Sequence, residues 1–140
     1  MSVDFLDTNV FVYLFDEADA AKHAVARTLV ADALSNGTGA ISFQVVQEAL
    51  NVLTRKLEVI ARAADAEDFM QHTLQPLWRV QPSPSLYAAA MRIQQRQEFG
   101  FYDSLIVAAA LESGCTRLLS EDLQHGQRIG KLRIENPFRT

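Results

Sequence analysis

Apolar and polar positions recur at two periods along this chain, and the changes of period mark its elements. Val3, Phe5 and Leu6 are a short burst of strand formers that stops at Asp7-Thr8-Asn9, residues suited to turns and helix caps. The apolar run Val10-Phe11-Val12-Tyr13-Leu14-Phe15 follows at once and predicts a first helix. After an acidic turn at Asp16-Glu17-Ala18-Asp19, an alanine-rich helix is predicted over 20–34, with Val25, Ala26, Leu29 and Val30 on its apolar face. Gly37 and Gly39 end it, Ala40-Ile41 is a minimal second strand, and Ser42 is placed to cap a helix over 43–57.

In that helix, Phe43, Val46, Leu50, Leu53 and Leu57 form one apolar stripe, widened by Val45, Ala49 and Val52. Gln44, Glu48, Asn51 and Arg55 form a second, polar stripe, with Glu48 at the border of the apolar arc. A helix over 63–77 comes next, which Pro76 ends or bends. A strand over 77–80 and the stiff Pro82-Ser83-Pro84 connection lead to a helix over 85–98, with Leu86, Ala89, Ala90 and Ile93 inward. Its Arg92 and Arg96 lie one turn apart on the surface. Beyond the break at Phe99-Gly100-Phe101-Tyr102, the segment 103–111 is apolar nearly all round and predicts a buried helix. A strand over 116–120 and an alternating strand within 130–137 complete the chain. Helices alternating with short strands predict one domain over 1–140, a three-layer α/β/α sandwich with a short-stranded, mostly parallel central sheet.

Composition changes this picture little. The 140 residues are 49% hydrophobic and 21% charged, as in ordinary globular proteins. No apolar run is long enough to span a bilayer, no signal-like segment opens the chain, and a single cysteine, Cys115, rules out an internal disulfide. The expectation is a cytoplasmic protein without a membrane partner. A formal net charge of −4 argues against a general nucleic-acid coat and suits a protein that gathers carboxylates around a cation.

The acids carry the candidate chemistry. Asp7 and Asp122 each follow a predicted strand, which puts both at the carboxyl edge of the sheet. Helices packed on a parallel sheet run antiparallel to its strands, so their N-termini lie at that same edge. Asp103 sits at one such N-terminus, and Glu48 is roughly 7 Å into another helix. Four carboxylates from four distant segments therefore converge on one rim. Converging carboxylates repel and are expensive to bury ionised, and no Lys or Arg lies within three residues of Asp7, Glu48 or Asp103. A hard divalent cation held by oxygen ligands, Mg²⁺ or Mn²⁺, answers that problem. Thr8, Asn9 and Ser120 are neutral donors placed to orient the carboxylates. The blander reading leaves Asp7 or Asn9 a helix cap and Glu48 part of a solvated face.

Leu6-Asp7-Thr8-Asn9, Gln47-Glu48, Phe101-Tyr102-Asp103 with Leu105-Ile106, Leu119-Ser120-Glu121-Asp122-Leu123 and the ending 130–138 together resemble a PIN-domain ribonuclease, specifically a VapC-like toxin of bacterial type II toxin–antitoxin systems. Each motif is short, but the four acids in order span almost the whole chain. The resemblance implies metal-dependent endonucleolytic cleavage of RNA, a homodimer, and inhibition by a cognate antitoxin. It implies Asp7 and Asp103 as principal metal ligands, Asp122 completing or supporting the metal site, and Glu48 binding metal or positioning water. The family often has threonine at the position of Ser120. Of the neighbouring Glu121 and Asp122, the Ser-x-Asp spacing favours Asp122 as the inward acid.

Other residues weigh less. His125 could touch a phosphate but reads better as a surface loop residue, and His23 and His72 suggest no partner. Arg92/Arg96 and Arg55/Lys56 could follow an RNA backbone or simply aid solubility. Phe11, Tyr13, Phe15, Phe99 and Phe101 read as core or dimer contacts, and Tyr102 as a base-stacking side chain only because it adjoins Asp103. A phosphatase with an aspartyl nucleophile is disfavoured, because the residue two beyond Asp7 is Asn9 and no lysine stands near the later acids. A non-catalytic module that binds an antitoxin or another regulatory partner is the alternative, and it predicts tolerance of Asp7→Asn.

Overall fold

Strand β1 (Asp4–Leu6) leads into α1 (Thr8–Phe15) and α2 (Ala20–Asn36), and β2 (Gly39–Ser42) into α3 (Phe43–Lys56) and α4 (Ala63–Phe69). Then come β3 (Trp78–Val80), α5 (Pro84–Arg96), α6 (Phe101–Glu112), β4 (Arg117–Leu119) and the strands β5 (Arg128–Ile129) and β6 (Leu132–Glu135). This computed structural model describes residues 3–56 and 63–139, with backbone alone for Lys56 and Ala63. Leu57, at the end of the predicted apolar stripe, lies outside the described residues, as does the Lys56 side chain.

The sheet order is β3-β2-β1-β4-β6-β5, parallel except for β5, which runs antiparallel to β6 at one edge. The fold is therefore the mostly parallel α/β/α sandwich the pattern predicts. The crossovers into β2 and β3 step one way from β1 and the crossover into β4 steps back past it. Right-handed connections then place α1–α4 on one face and α5–α6 on the other. With both faces covered, the strands are apolar rather than alternating: Phe5, Leu6, Ala40, Ile41, Leu118 and Leu119 are all buried. Gly39 is required where α2 presses on β2, since a Cβ there would stand 2.6 Å from the Ala33 Cβ.

Three features depart from the sequence reading. Regular helix α4 ends at Phe69, followed by a π-helical turn over Met70–Leu74 and a 3₁₀ turn over Gln75–Leu77. Pro76 lacks an N–H and crowds the preceding turn, which accounts for the altered winding. Ser42 closes β2 with a buried hydroxyl that has no hydrogen-bond partner among the described residues, so its side chain does not cap α3. The two-residue β5 is too short to show alternation. It pairs with β6 through a turn at Gly130-Lys131, where Gly130 takes a φ of 59°.

The buried helix predicted over 103–111 is present as α6, which starts two residues earlier and buries Ser104 to Ala110 without interruption. That earlier start places Asp103 in the first helical turn. Ser83 caps α5, its Oγ accepting from the Leu86 N–H at 3.1 Å, with Pro84 in the first turn.

Candidate acidic active site

Strand β1 has β2 on one side and β4 on the other, so the connections diverge at its carboxyl end and leave a crevice there. Asp7 is the first residue beyond β1, and its backbone N–H donates to the Leu119 carbonyl at 3.0 Å. This places it beside Ser120, the first residue beyond β4. The Ser120 hydroxyl donates to Asp7 Oδ2 at 2.7 Å, and the Thr8 N–H donates to Asp7 Oδ1 at 2.7 Å. Asp7 is thus the N-cap of α1 and also lines the crevice. Capping α1 therefore does not take this carboxylate out of the crevice, because its two oxygens have different partners.

The other neutral donors each hold a different acid. Thr8 Oγ1 donates to Glu48 Oε1 at 2.7 Å, fixing the border carboxylate of α3. Asn9 Nδ2 donates to Asp122 Oδ2 at 3.3 Å, while the Asp122 N–H reaches Ser120 Oγ at 3.3 Å. Asp103 enters from the first turn of α6. Asp7, Glu48, Asp103 and Asp122 line one groove of about 370 Å³ together with Gln44, Asn51 and Tyr102. Among the described residues that line it, none is a lysine or arginine.

The electrostatics follow from that composition. Asp7 is only 8% exposed, and burial pushes its pKa from the 3.8 of a solvated aspartate to about 6. The Ser120 and Thr8 hydrogen bonds pull the other way, and the charges of Glu48 and Asp122 add to the rise. Asp103 is also raised, first by desolvation and then by Asp122.

Glu121 faces away from the groove. Tyr13 Oη donates to its Oε1 at 2.6 Å and Lys22 Nζ to its Oε2 at 2.6 Å. Burial alone would raise Glu121, but the bonds from Lys22 and Tyr13 outweigh it and hold its pKa below the ordinary value. The same arrangement pushes Tyr13 up, chiefly through its bond to Glu121.

The histidines have structural partners. The Asn136 N–H donates to His125 Nδ1 at 3.0 Å, which pins the loop after β4 to the end of β6. His23, which suggests no partner in the sequence, lies with Nδ1 2.8 Å from the Tyr13 carbonyl oxygen, one turn beyond its own N-cap Asp19. Phe11 is fully buried, Tyr13 meets Phe138 edge-on at 4.8 Å, and Tyr102 is 69% exposed at the lip of the groove.

Gln44 is the site residue whose place the sequence understates. It lies one turn before Glu48 on the polar stripe, a signal that could have brought it into the group. It is 5% exposed, donates from Nε2 to the Tyr102 carbonyl at 3.2 Å, and so ties α3 to the turn that carries Asp103.

The donor set suits a hard cation. Beyond the four carboxylates, the buried oxygens Asn9 Oδ1 and Gln44 Oε1 have no hydrogen-bond partner among the described residues. All of these are oxygen ligands, the kind that Mg²⁺ and Mn²⁺ take. No group of three His, Cys, Asp or Glu side chains among the described residues forms a ready-made metal cage.

Fold and groove together define the class: an α/β protein with an acidic cleft at the carboxyl edge of a parallel sheet. A profile of the PIN domain matches residues 5–130, and the chain belongs to the PIN domain family. Solved structures share its fold. VapC20 of Mycobacterium tuberculosis, a toxin that cleaves the sarcin–ricin loop, superposes with a TM-score of 0.59 at 21% identity, over 85% of this chain and 89% of that one. VapBC2 of Rickettsia felis, bound to a DNA fragment from its promoter, gives 0.64 at 18% identity, over 96% and 98% of the chains. PAE2754 of Pyrobaculum aerophilum gives 0.54 at 21% identity, over 86% and 80%. No curated protein sequence matches the chain significantly.

Proposed function

We propose that the chain is a metal-dependent endoribonuclease, the toxin of a toxin–antitoxin pair, built as a single PIN-like domain over 1–140. One observation carries the reading. Three neutral donors, Thr8, Asn9 and Ser120, each hold a different carboxylate, yet among the described residues no lysine or arginine lines the groove they share. Such a groove is costly unless a bound cation or protons relieve it. The PIN fold and its likeness to VapC toxins, one of them a cleaver of the sarcin–ricin loop, support the substrate class.

Asp7 and Asp103 would hold the metal, with Asp122 completing the shell. When bound, Mg²⁺ or Mn²⁺ supplies Lewis-acid stabilisation of the phosphodiester oxygens and acidifies a water. Ser120 keeps Asp7 turned into the groove, and Asn9 does the same for Asp122. Glu48 has Oε1 engaged by Thr8, leaving Oε2 to orient the attacking water and accept its proton. A cognate antitoxin, a homodimer and a cytoplasmic location belong to the same proposal. Among the described residues, no helix is long and apolar enough to cross a membrane.

The test is cleavage of total bacterial RNA by purified protein with Mg²⁺, with EDTA, and by Asp7→Asn and Asp103→Asn variants shown by circular dichroism to be folded. Cleavage lost in EDTA and in both variants is the expected result. Cleavage that survives Asp7→Asn overturns the assignment of the site. Toxicity in cells that survives the same substitution would instead favour a binding module.

A further inference from the structure

The acidic groove does not end at its carboxylates. It shares Asp103 and Asp122 with a second groove of about 470 Å³, lined further by Arg96, Gln97, Glu98 and Gln127. That groove shares Arg96 and Gln97 with a third, of about 390 Å³, lined by Arg92 on α5 and Arg128 on β5. The three make one channel along the α5 side of the molecule, acidic at one end and basic at the other. Gln127 Nε2 donates to Gln97 Oε1 at 3.1 Å, joining the loop before β5 to the end of α5, so both banks are fixed.

The arginines of this channel differ from the cations that the fold pairs internally. Arg117 and Arg133 are paired with carboxylates, Lys22 is bound to Glu121, and Arg79 donates to the Gly37 carbonyl. Among the described residues, Arg92, Arg96 and Arg128 form no ion pair or hydrogen bond, and all three are exposed. Three unpaired arginines along one channel are unexpected in a chain whose formal net charge is −4. Arg92 and Arg96 stand one turn apart, roughly 5–6 Å along the helix, a spacing that suits successive phosphates of a flexible strand. Between them and Arg128, Ile93, Leu111 and Ile129 offer an apolar floor on which bases can rest.

We propose that this channel carries the single-stranded RNA on one side of the scissile bond, with Arg96 meeting the phosphate nearest the acids and Arg92 and Arg128 those beyond. The proposal rests on the ribonuclease reading and assigns it a direction. Among the described residues that line the groove, the opposite lip formed by Gln44, Asn51, Val52 and Tyr102 has no arginine, Arg55 standing one turn further along α3, so the α5 flank supplies most of the electrostatic hold. An acidic peptide would satisfy the arginines but would gain nothing from continuity with four carboxylates. A polyanion whose cleaved phosphate sits at a metal uses both ends.

The experiment measures binding of a fluorescein-labelled single-stranded RNA 12-mer by anisotropy in Mg²⁺, over a series of salt concentrations, in the Asp7→Asn background to prevent cleavage. Arg96→Gln, Arg92→Gln and Arg128→Gln are each expected to weaken binding about five- to tenfold. Each should also reduce the slope of log K against log salt by roughly 0.7. Arg27→Gln, on the remote surface of α2, should change neither. If Asp7→Asn binds RNA with strong salt dependence and the three substitutions leave it unchanged, the channel assignment is wrong while the ribonuclease reading stands. If they leave RNA affinity alone but convert a dimer to monomers by light scattering, the channel is a self-interface and the proposal falls. Absence of RNA binding and of wild-type cleavage would overturn both readings together.

Discussion

Strands β1, β4 and β6 carry two sets of carboxylates that are treated in opposite ways. Asp4 and Glu135 share the guanidinium of Arg117. Its Nε donates to Asp4 Oδ1 at 2.8 Å, its Nη2 to Asp4 Oδ2 at 2.6 Å, and its Nη1 to Glu135 Oε2 at 3.0 Å. Just beyond the carboxyl ends of β1 and β4, Asp7 and Asp122 join Glu48 and Asp103, and among the described residues the donors to Asp7, Glu48 and Asp122 are neutral. The first set is a cross-strand clamp whose charges are matched within the fold. The second set has no matching cation among the described residues that line its groove. Asp7, buried with its pKa pushed to about 6, carries that mismatch, and it is the residue our proposal makes a metal ligand.

The comparison is broken most directly through pH. Asp7 is protonated up to about 6 in the folded chain but only to about 3.8 when solvated. Between those values the folded state holds a proton the unfolded state has lost, so stability falls as pH rises through the window. Above about 6 the full penalty is present, at most about 3 kcal/mol from this residue. Urea denaturation in EDTA should therefore show greater stability at pH 5 than at pH 7.5. Asp7→Asn should remove most of that difference, and Mg²⁺ should restore stability at pH 7.5. A wild-type slope identical to that of Asp7→Asn would mean that Asp7 is not the stressed acid.

The matched set should respond in the opposite sense. Among the described residues, Arg117→Met leaves Asp4 without a cation and Glu135 with only the 3.5 Å contact to Arg133. The Arg117 side chain is 42% exposed, so solvent screens part of the loss. About 2 kcal/mol of destabilisation is expected, below what a fully buried pair would lose. RNA cleavage by the folded fraction should be unchanged. A fall in cleavage without a fall in stability would show that the clamp reaches the groove after all.

Ser120 tests the groove from within. Its hydroxyl donates to Asp7 Oδ2 and accepts from the Asp122 N–H, so one small side chain sets two acids. Ser120→Ala should cost about 1–2 kcal/mol in EDTA and move the Asp7 midpoint higher, because a bond favouring the charged form is lost. Ser120→Thr, which keeps the hydroxyl, should behave as wild type in both respects.

Most of this contrast was legible in the sequence because it depends on where elements stop. Asp7, Asp103 and Asp122 sit at element boundaries that composition marks, and Thr8, Asn9 and Ser120 were readable as their donors from position alone. What stayed hidden depends on partners far along the chain. Nothing near Glu121 announces Lys22, 99 residues earlier, or the Tyr13 hydroxyl that joins them. Gln44 reads as part of a polar face, since periodicity does not show that the start of α6 covers it. Strand β5 is two residues long, below the length at which alternation means anything. Local signals located the acids; three-dimensional packing decided which of them were neutralised.

The finest form of the comparison is between two neighbours in sequence. Glu121 takes a lysine and a tyrosine, whereas Asp122 takes only Asn9 Nδ2 and the groove. Because the two side chains leave one short stretch of backbone in different directions, the Glu121 clamp sets how Asp122 is presented. Glu121→Gln should leave the melting temperature close to wild type, since Lys22 and Glu121 are both partly exposed. Its effect should appear instead as a few-fold loss of Mn²⁺ affinity in a titration followed by electron paramagnetic resonance, at the low end of what an outer partner of a metal ligand contributes. In an Asp122→Asn background that loss should vanish, because Glu121 would act only through the acid beside it. An equal loss in both backgrounds would show that the clamp supports the groove as a whole, and that the difference between the neighbours is one of charge pairing alone.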